Sequence, residues 1–294
     1  MIFFLALVGI LGVSASGPIM AATAAPALTI ALWRNVNVFG ALVLATPTLI
    51  KEPGRFSSLS RLELKYTAIA ATALALHFAC FVTSVKMTSV AAATALVCLQ
   101  AAWIALFQWF RGSKPAKPML LGLGAALIGV VVITGFDMGV SREALLGDLL
   151  AVVGGVLAAV YTLAGSKARK TMSTSVYASL CYGICSVILL VLCLAFRQPF
   201  VSIPPEAWWG IVGVTVAAQI FGHTIFNHLL ATMSPLVVSM MILLEIPGAA
   251  LLAGIFLKQD LPAGTYTGLA LILAGLAIVI LHQGRSGLKR SRTK

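Results

Sequence analysis

The sequence predicts an all-α polytopic membrane protein: ten transmembrane helices laid out as two inverted five-helix repeats. Three observations carry that expectation: the composition, the recurrence of uncharged apolar runs of spanning length, and a weak self-similarity at one sequence offset. Of 294 residues, 60% are apolar and 10% charged, against about 45–50% and about 25% in soluble domains. A span needs about 20 residues, and roughly 28–30 residues per helix and loop allow about ten spans in this length. Little is left for a soluble domain. The five cysteines (Cys80, Cys98, Cys181, Cys185, Cys193) all fall inside apolar runs and form no CxxC pair. They are expected as small packing residues, with no disulfide framework and no metal site.

The first helix runs from about Ile2 to Ala22. It carries no basic leader segment and more spans follow, so it is expected as a transmembrane helix rather than a cleaved signal. Ser14, Ser16, Gly17 and Pro18 interrupt it and permit a bend. Pro26 opens the second helix, about Ala27 to Ile50, and a basic connection (KEPGRFSSLSRLELK) follows. The third helix covers about Tyr66 to Val85 and the fourth Ser89 to Phe110, with Lys86 in the tight turn between them. RGSKPAKP leads to the fifth, about Met119 to Phe136, and the sixth runs from about Leu146 to Ser166. SKARK precedes the seventh, Ser175 to Phe196, and the eighth runs from about Glu206 to Ala231. Met233-Ser234-Pro235 makes a tight turn, with Pro235 suited to the first turn of the ninth helix, which ends near Leu257. The tenth covers about Gly264 to His282, before a basic tail.

Charge sets the orientation. Fifteen of the twenty Lys and Arg fall in loops on one side and in the tail; Lys86, Arg142, Arg197 and Lys258 fall on the other, and Arg34 lies within a span. This bias predicts cytoplasmic termini in a cell inner or plasma membrane. It also accounts for the formal charge of +12, so no nucleic-acid partner is expected.

Two halves offset by about 146 residues resemble each other. Gly122 and Gly129 match Gly268 and Gly275, His77 and Met87 match His223 and Met233, and Gly9 matches Gly155. Five helices per half is an odd number, so successive halves insert with opposite topology, a hallmark of secondary transporters. The expected units are residues 1–140 and 141–284, followed by a basic tail at 285–294.

PALTIALWRNV, GDLLAVVGGVLAAVYTLAGSKARK and the closing segment from Pro235 to Ile280 resemble the EamA family of the drug/metabolite transporter superfamily. The resemblance covers essentially the whole chain. It implies ten helices, an inverted five-plus-five fold and movement of small metabolites. The chain departs from the family where a Gly-Glu pair ends the ninth helix: Gln259-Asp260 stands there. Near the end of the fourth helix, RGSKP replaces the same pair.

An ionisable group inside a span costs about 2.5–3.5 kcal/mol at mid-helix on insertion scales, so each is a functional candidate. Glu245 sits mid-way along the ninth helix beside Pro247, whose ring removes a backbone donor and crowds the carbonyl of Leu243. Burial disfavours a charged carboxyl, which suits Glu245 to proton coupling; the alternative is a permanently protonated, structural acid. Gln219, His223 and Asn227 recur at i, i+4 and i+8 of the eighth helix, as one stripe facing either a substrate cavity or another helix. His77 is the repeat mate of His223. Gln100 and Trp103 share a face of the fourth helix, and Tyr161 lies deep in the sixth; each is expected either as substrate-lining or as packing. Arg34 either snorkels to the surface, pairs with an acid or holds a substrate carboxylate. Asp148 is expected as a cap or first-turn acid of the sixth helix.

The expected function is a secondary transporter, exporting or exchanging a small organic metabolite such as an amino acid by alternating access, with proton coupling as an option. No GxxxxGK[ST] loop is present, which argues against direct ATP drive. An intramembrane enzyme or a non-transporting scaffold is the alternative. HTIFNH lacks the glutamate of HExxH and Glu245 has no partner acid, so no catalytic residue, cofactor or metal is expected. The expected partners are the substrate and the bilayer, with the chain a monomer or weak dimer.

Overall fold

The computed structural model describes residues 2–45, 58–112, 115–135, 141–259 and 263–291, and all regular structure among them is helical. The basic residues Lys51, Arg55, Lys114, Arg292 and Lys294, and Asp260, lie outside the described residues.

The first span is two helices, α1 (Ile2–Ser14) and α2 (Ser16–Ala22), and the second is α3 (Ala27–Ala45). The third is α4 (Arg61–Met87), opened by a reciprocal cap: Ser60 Oγ accepts the Glu63 N–H while the Glu63 carboxylate accepts from the Ser60 backbone. The fourth is split into α5 (Val90–Val97) and α6 (Gln100–Phe110), and α7 (Lys117–Gly135) follows. The sixth and seventh are α8 (Arg142–Ala168) and α9 (Thr174–Ala195). The eighth joins α10 (Ala207–Val214) through a π-helical segment, Thr215–Thr224, to α11 (Ile225–Leu229). The ninth is split into α12 (Pro235–Ile242) and α13 (Glu245–Leu257), and α14 (Ala263–Ser291) is the last helix of the described residues.

Serine hydroxyls start five of these helices: Ser60, Ser89, Ser141, Ser173 and Ser234 each accept an N–H three residues on, satisfying a donor that the first turn otherwise leaves unpaired. Ser141 therefore takes the capping role expected of Asp148, which falls in the second turn of α8.

Eight helical stretches among the described residues are long and apolar enough to cross a membrane; α7 and α14 contribute shorter apolar stretches, Lys117–Ile133 and Gly264–Gly275. These two pack along each other, and glycine sets their separation. A Cβ on Gly129 would lie 2.5 Å from the Gly268 carbonyl, and one on Gly268 would lie 2.5 Å from the Gly129 carbonyl; Gly275 meets the Gly122 carbonyl in the same way. The contact is crossed, Gly122 with Gly275 and Gly129 with Gly268, so the helices run antiparallel.

Elsewhere α8 lies along α4, while α1 lies along the π-helical segment; α9 lies on α3; α8 covers α5 and α6, while α1 and α2 cover α13. The core between them is built largely of Ala, Val, Leu and small residues.

Candidate functional site

The fourth span was expected to be continuous, yet both it and the ninth are interrupted, and at matching places. In the fourth, Leu99 donates to Leu96 O and Ala101 to Cys98 O; in the ninth, Leu243 donates to Met240 O and Ile246 to Leu243 O. Bonds of this i→i−3 kind tighten the turn where the i→i−4 ladder lapses, a pattern frequent at functional hinges. Pro247 explains the ninth: it has no N–H for the Leu243 carbonyl, and Ile246 bonds that carbonyl instead. The fourth has no such residue. There Gly155 of α8 presses against the carbonyl of Val97, which a Cβ would approach to 2.8 Å, and Cys98 Sγ donates across to Ile242 O at 3.8 Å. The two interruptions thus touch.

Gln100 opens α6 and Glu245 opens α13, so each stands on the N-terminal turn of a second half-helix. Both are buried (7% and 6% exposed) and both line one central cavity. His77, Tyr161, His223 and Asn227 join them there, with Phe78, Phe81 and Phe226 as apolar walls. The cavity is about 50 Å³, room for a few waters and well below the roughly 300 Å³ of small-molecule pockets.

The polar groups around it are tied into a network. His77 Nδ1 faces the Gly154 carbonyl at 3.0 Å; a carbonyl only accepts, so Nδ1 carries the proton and a neutral ring leaves Nε2 as an acceptor. His77 and His223 lie 6.3 Å apart, centroid to centroid, and the Phe78 ring meets His223 edge-on at 5.2 Å. Tyr161 donates to Asn227 Oδ1 at 2.7 Å, Asn227 Nδ2 to the Tyr182 hydroxyl at 3.2 Å, and Thr224 to the Gln219 carbonyl at 2.9 Å. The Tyr182 hydroxyl sits 3.1 Å from Thr224 Oγ1. Since Thr224 already donates, Tyr182 donates to it, and hydrogen bonds run in one direction from the cavity into the bundle.

Three residues singled out from the sequence lie outside the cavity lining. Arg34 is fully buried rather than snorkelling: Nε and Nη2 donate to Gln219 Oε1 at 2.9 and 2.6 Å, Nη1 faces the Met20 sulfur at 3.4 Å, and the guanidinium stacks 4.2 Å over the Phe78 ring. Gln219 is thus turned away from the cavity and also donates to Asn35 Oδ1 at 3.1 Å. It shares no single stripe with His223 and Asn227 because the wider π-turns between 215 and 224 change the angular spacing that an α-helix would give. Trp103 is half-buried and its Nε1 meets no partner among the described residues. Phe78, behind which Arg34 sits, is the link between Arg34 and the cavity.

Sequence reasoning overlooked Asn35, Thr224 and Arg169. Arg169 is 5% exposed and donates through Nε to the Asn227 carbonyl at 2.9 Å and through Nη2 to Thr174 at 2.8 Å. Its place in the SKARK run disguised it as a loop charge.

Residues 145–281 match the model of the EamA-like transporter family. An uncharacterized transporter of Archaeoglobus fulgidus is 24% identical over 225 residues, covering 75% of this chain and 77% of that protein. A solved crystal structure of a protein resembles this one with a TM-score of 0.70 at 20% identity, covering 96% of this chain and 97% of that chain; that likeness concerns the fold alone.

Proposed function

From the EamA-like transporter domain carried in the second half of this multi-pass membrane protein, we propose a secondary transporter of a small organic metabolite, exporting or exchanging it by alternating access around the central cavity. The observation that carries the reading is the pair of interrupted helices whose second halves begin at Gln100 and Glu245 on one cavity. Discontinuous helices in corresponding positions of two halves mark the substrate sites of such proteins. Ten spans in two inverted repeats accord with the packing: α4 on α8 has its counterpart in the π-segment on α1, and α3 with α9 and α7 with α14 pair spans of equal rank. The crossed glycines accord with it too, because exchanging the halves turns the Gly122–Gly275 pair into Gly268–Gly129.

The chemistry fits a solute carrying both an acid and an amine, such as an amino acid. Two helix N-terminal turns favour a carboxylate, and the aromatic walls Phe78, Phe81 and Phe226 favour an ammonium. Gln100, His77, His223, Tyr161 and Asn227 provide hydrogen bonds. Arg34 and Gln219 brace the wall through Phe78, and Trp103 packs behind it. Admitting a metabolite requires the roughly 50 Å³ cavity to widen, and the 3₁₀-type turns at Cys98 and Leu243 are where it bends.

Glu245 is the coupling residue in this reading. Proteoliposomes carrying the full chain, tested against a metabolite panel, accumulate one class of solute under an imposed pH gradient. Glu245→Gln keeps solute exchange but loses that accumulation. Undiminished pH-driven accumulation by Glu245→Gln refutes the coupling, and failure of the whole panel refutes the transporter.

A further inference from the structure

A second concavity, of about 380 Å³, opens between α4, α6 and α8 at the end of the bundle where the basic loops gather. Its lining is graded along the helices. At the rim stand Arg111, just past the end of α6, and Lys167, in the last turn of α8; deeper lie Ile69, Phe107 and Val160. Tyr66 stands between the two zones. Its hydroxyl accepts from Lys167 Nζ at 3.1 Å while that ammonium lies 4.7 Å over the ring, which holds the lysine at the rim. The acid at this end of α4, Glu63, is engaged elsewhere, accepting from Ser60 and from Thr171 at 2.6 Å.

We infer that this groove binds an anionic phospholipid of the leaflet it faces, with the phosphate between Arg111 and Lys167 and an acyl chain along Ile69, Phe107 and Val160. A freely soluble anion would need only the cations. The apolar floor directly beneath them, on the outer surface of a membrane-spanning bundle, matches the order of head and chain in a lipid, and basic pockets between spans are where such headgroups bind. The repeat supplies an internal comparison. Under the offset of 146 residues that pairs the halves, Tyr66, Arg111 and Lys167 correspond to Val212, Leu257 and Ala21, so none of the three polar groups of this groove recurs at its repeat mate. The site is specific to one leaflet, which the orientation proposed from the loop charges makes the cytoplasmic one. It stands independently of what the central cavity carries.

Native mass spectrometry of the full chain, equilibrated with equimolar phosphatidylglycerol and phosphatidylcholine of identical chains, tests it. The parent protein retains phosphatidylglycerol with a preference of roughly tenfold, Arg111→Gln/Lys167→Gln brings the two lipids near parity, and Lys117→Gln/Lys170→Gln, an equal charge change outside the groove, keeps the preference. Excess inorganic phosphate does not displace the lipid. Should the groove double variant fail to melt cooperatively, Arg111→Gln and Lys167→Gln are read singly, each with about a threefold loss. Parity in the parent, an undiminished preference in the groove variants, an equal loss in Lys117→Gln/Lys170→Gln, or displacement by inorganic phosphate overturns the proposal.

Discussion

Arg34 and Gln219 form a buried, two-pronged polar contact that joins residues 185 apart in sequence. A buried guanidinium is tolerated only where its donors are met. Gln219 Oε1 takes two of them and passes the constraint to Asn35. Gln219→Leu strands the charge and lowers stability by about 3 kcal/mol, whereas Gln219→Glu keeps an acceptor and holds the fold; thermal unfolding in detergent measures both, and equal melting of Gln219→Leu and the parent contradicts the assignment. This pairing was illegible in the sequence. Arg34 stands out there as a charge within a span, and three fates were open to it. Choosing among them required knowing that the π-turns swing Gln219 toward it, and TVAAQIFGHT carries no proline or insertion that announces such turns.

At the scale of elements, the helix starts at Ser89 and Pro235 were legible, while the serine caps that set them, Ser89 and Ser234 at equivalent starts of α5 and α12, went unread. The ninth-span interruption was legible through Pro247. The fourth was not, since AAATALVCLQAAW favours an uninterrupted helix and its hinge depends on Gly155 and Ile242 from other spans. Glycine sets the close approach of α7 to α14. Gly268→Ala drives a methyl into the Gly129 carbonyl and destabilises the protein by about 1–3 kcal/mol. Gly124→Ala, on the same pair of helices but with open space around it, stabilises by up to about 1 kcal/mol through helix propensity. Melting shifts of the same sign for the two variants contradict the crossed packing of α7 on α14.

For the whole molecule, composition and periodicity carried the all-helical membrane class, and the offset of about 146 residues is the sequence's argument for the two inverted halves proposed above. The loop charges predict that Ser57→Cys and Ser113→Cys react with membrane-impermeant thiol reagents only from the cytoplasmic side; labelling from outside intact cells contradicts the orientation. The cavity's membership was partly legible. His77, Gln100, Tyr161, His223, Asn227 and Glu245 gather there, while Arg34 and Gln219 stand behind its wall and Trp103 lies outside the lining, a distinction that one-dimensional spacing does not contain.

The central claim is that the solute binds where the two interrupted spans meet. The most direct measurement is solute counterflow in proteoliposomes with variants of the cavity lining. Gln100→Leu and Asn227→Leu each remove a hydrogen-bonding group and raise the half-saturation concentration roughly tenfold, while the outward-facing Leu146→Ala, 55% exposed in the parent, leaves it unchanged. Half-saturation unaltered in both cavity variants, with transport intact, would place the transported solute elsewhere and contradict the account.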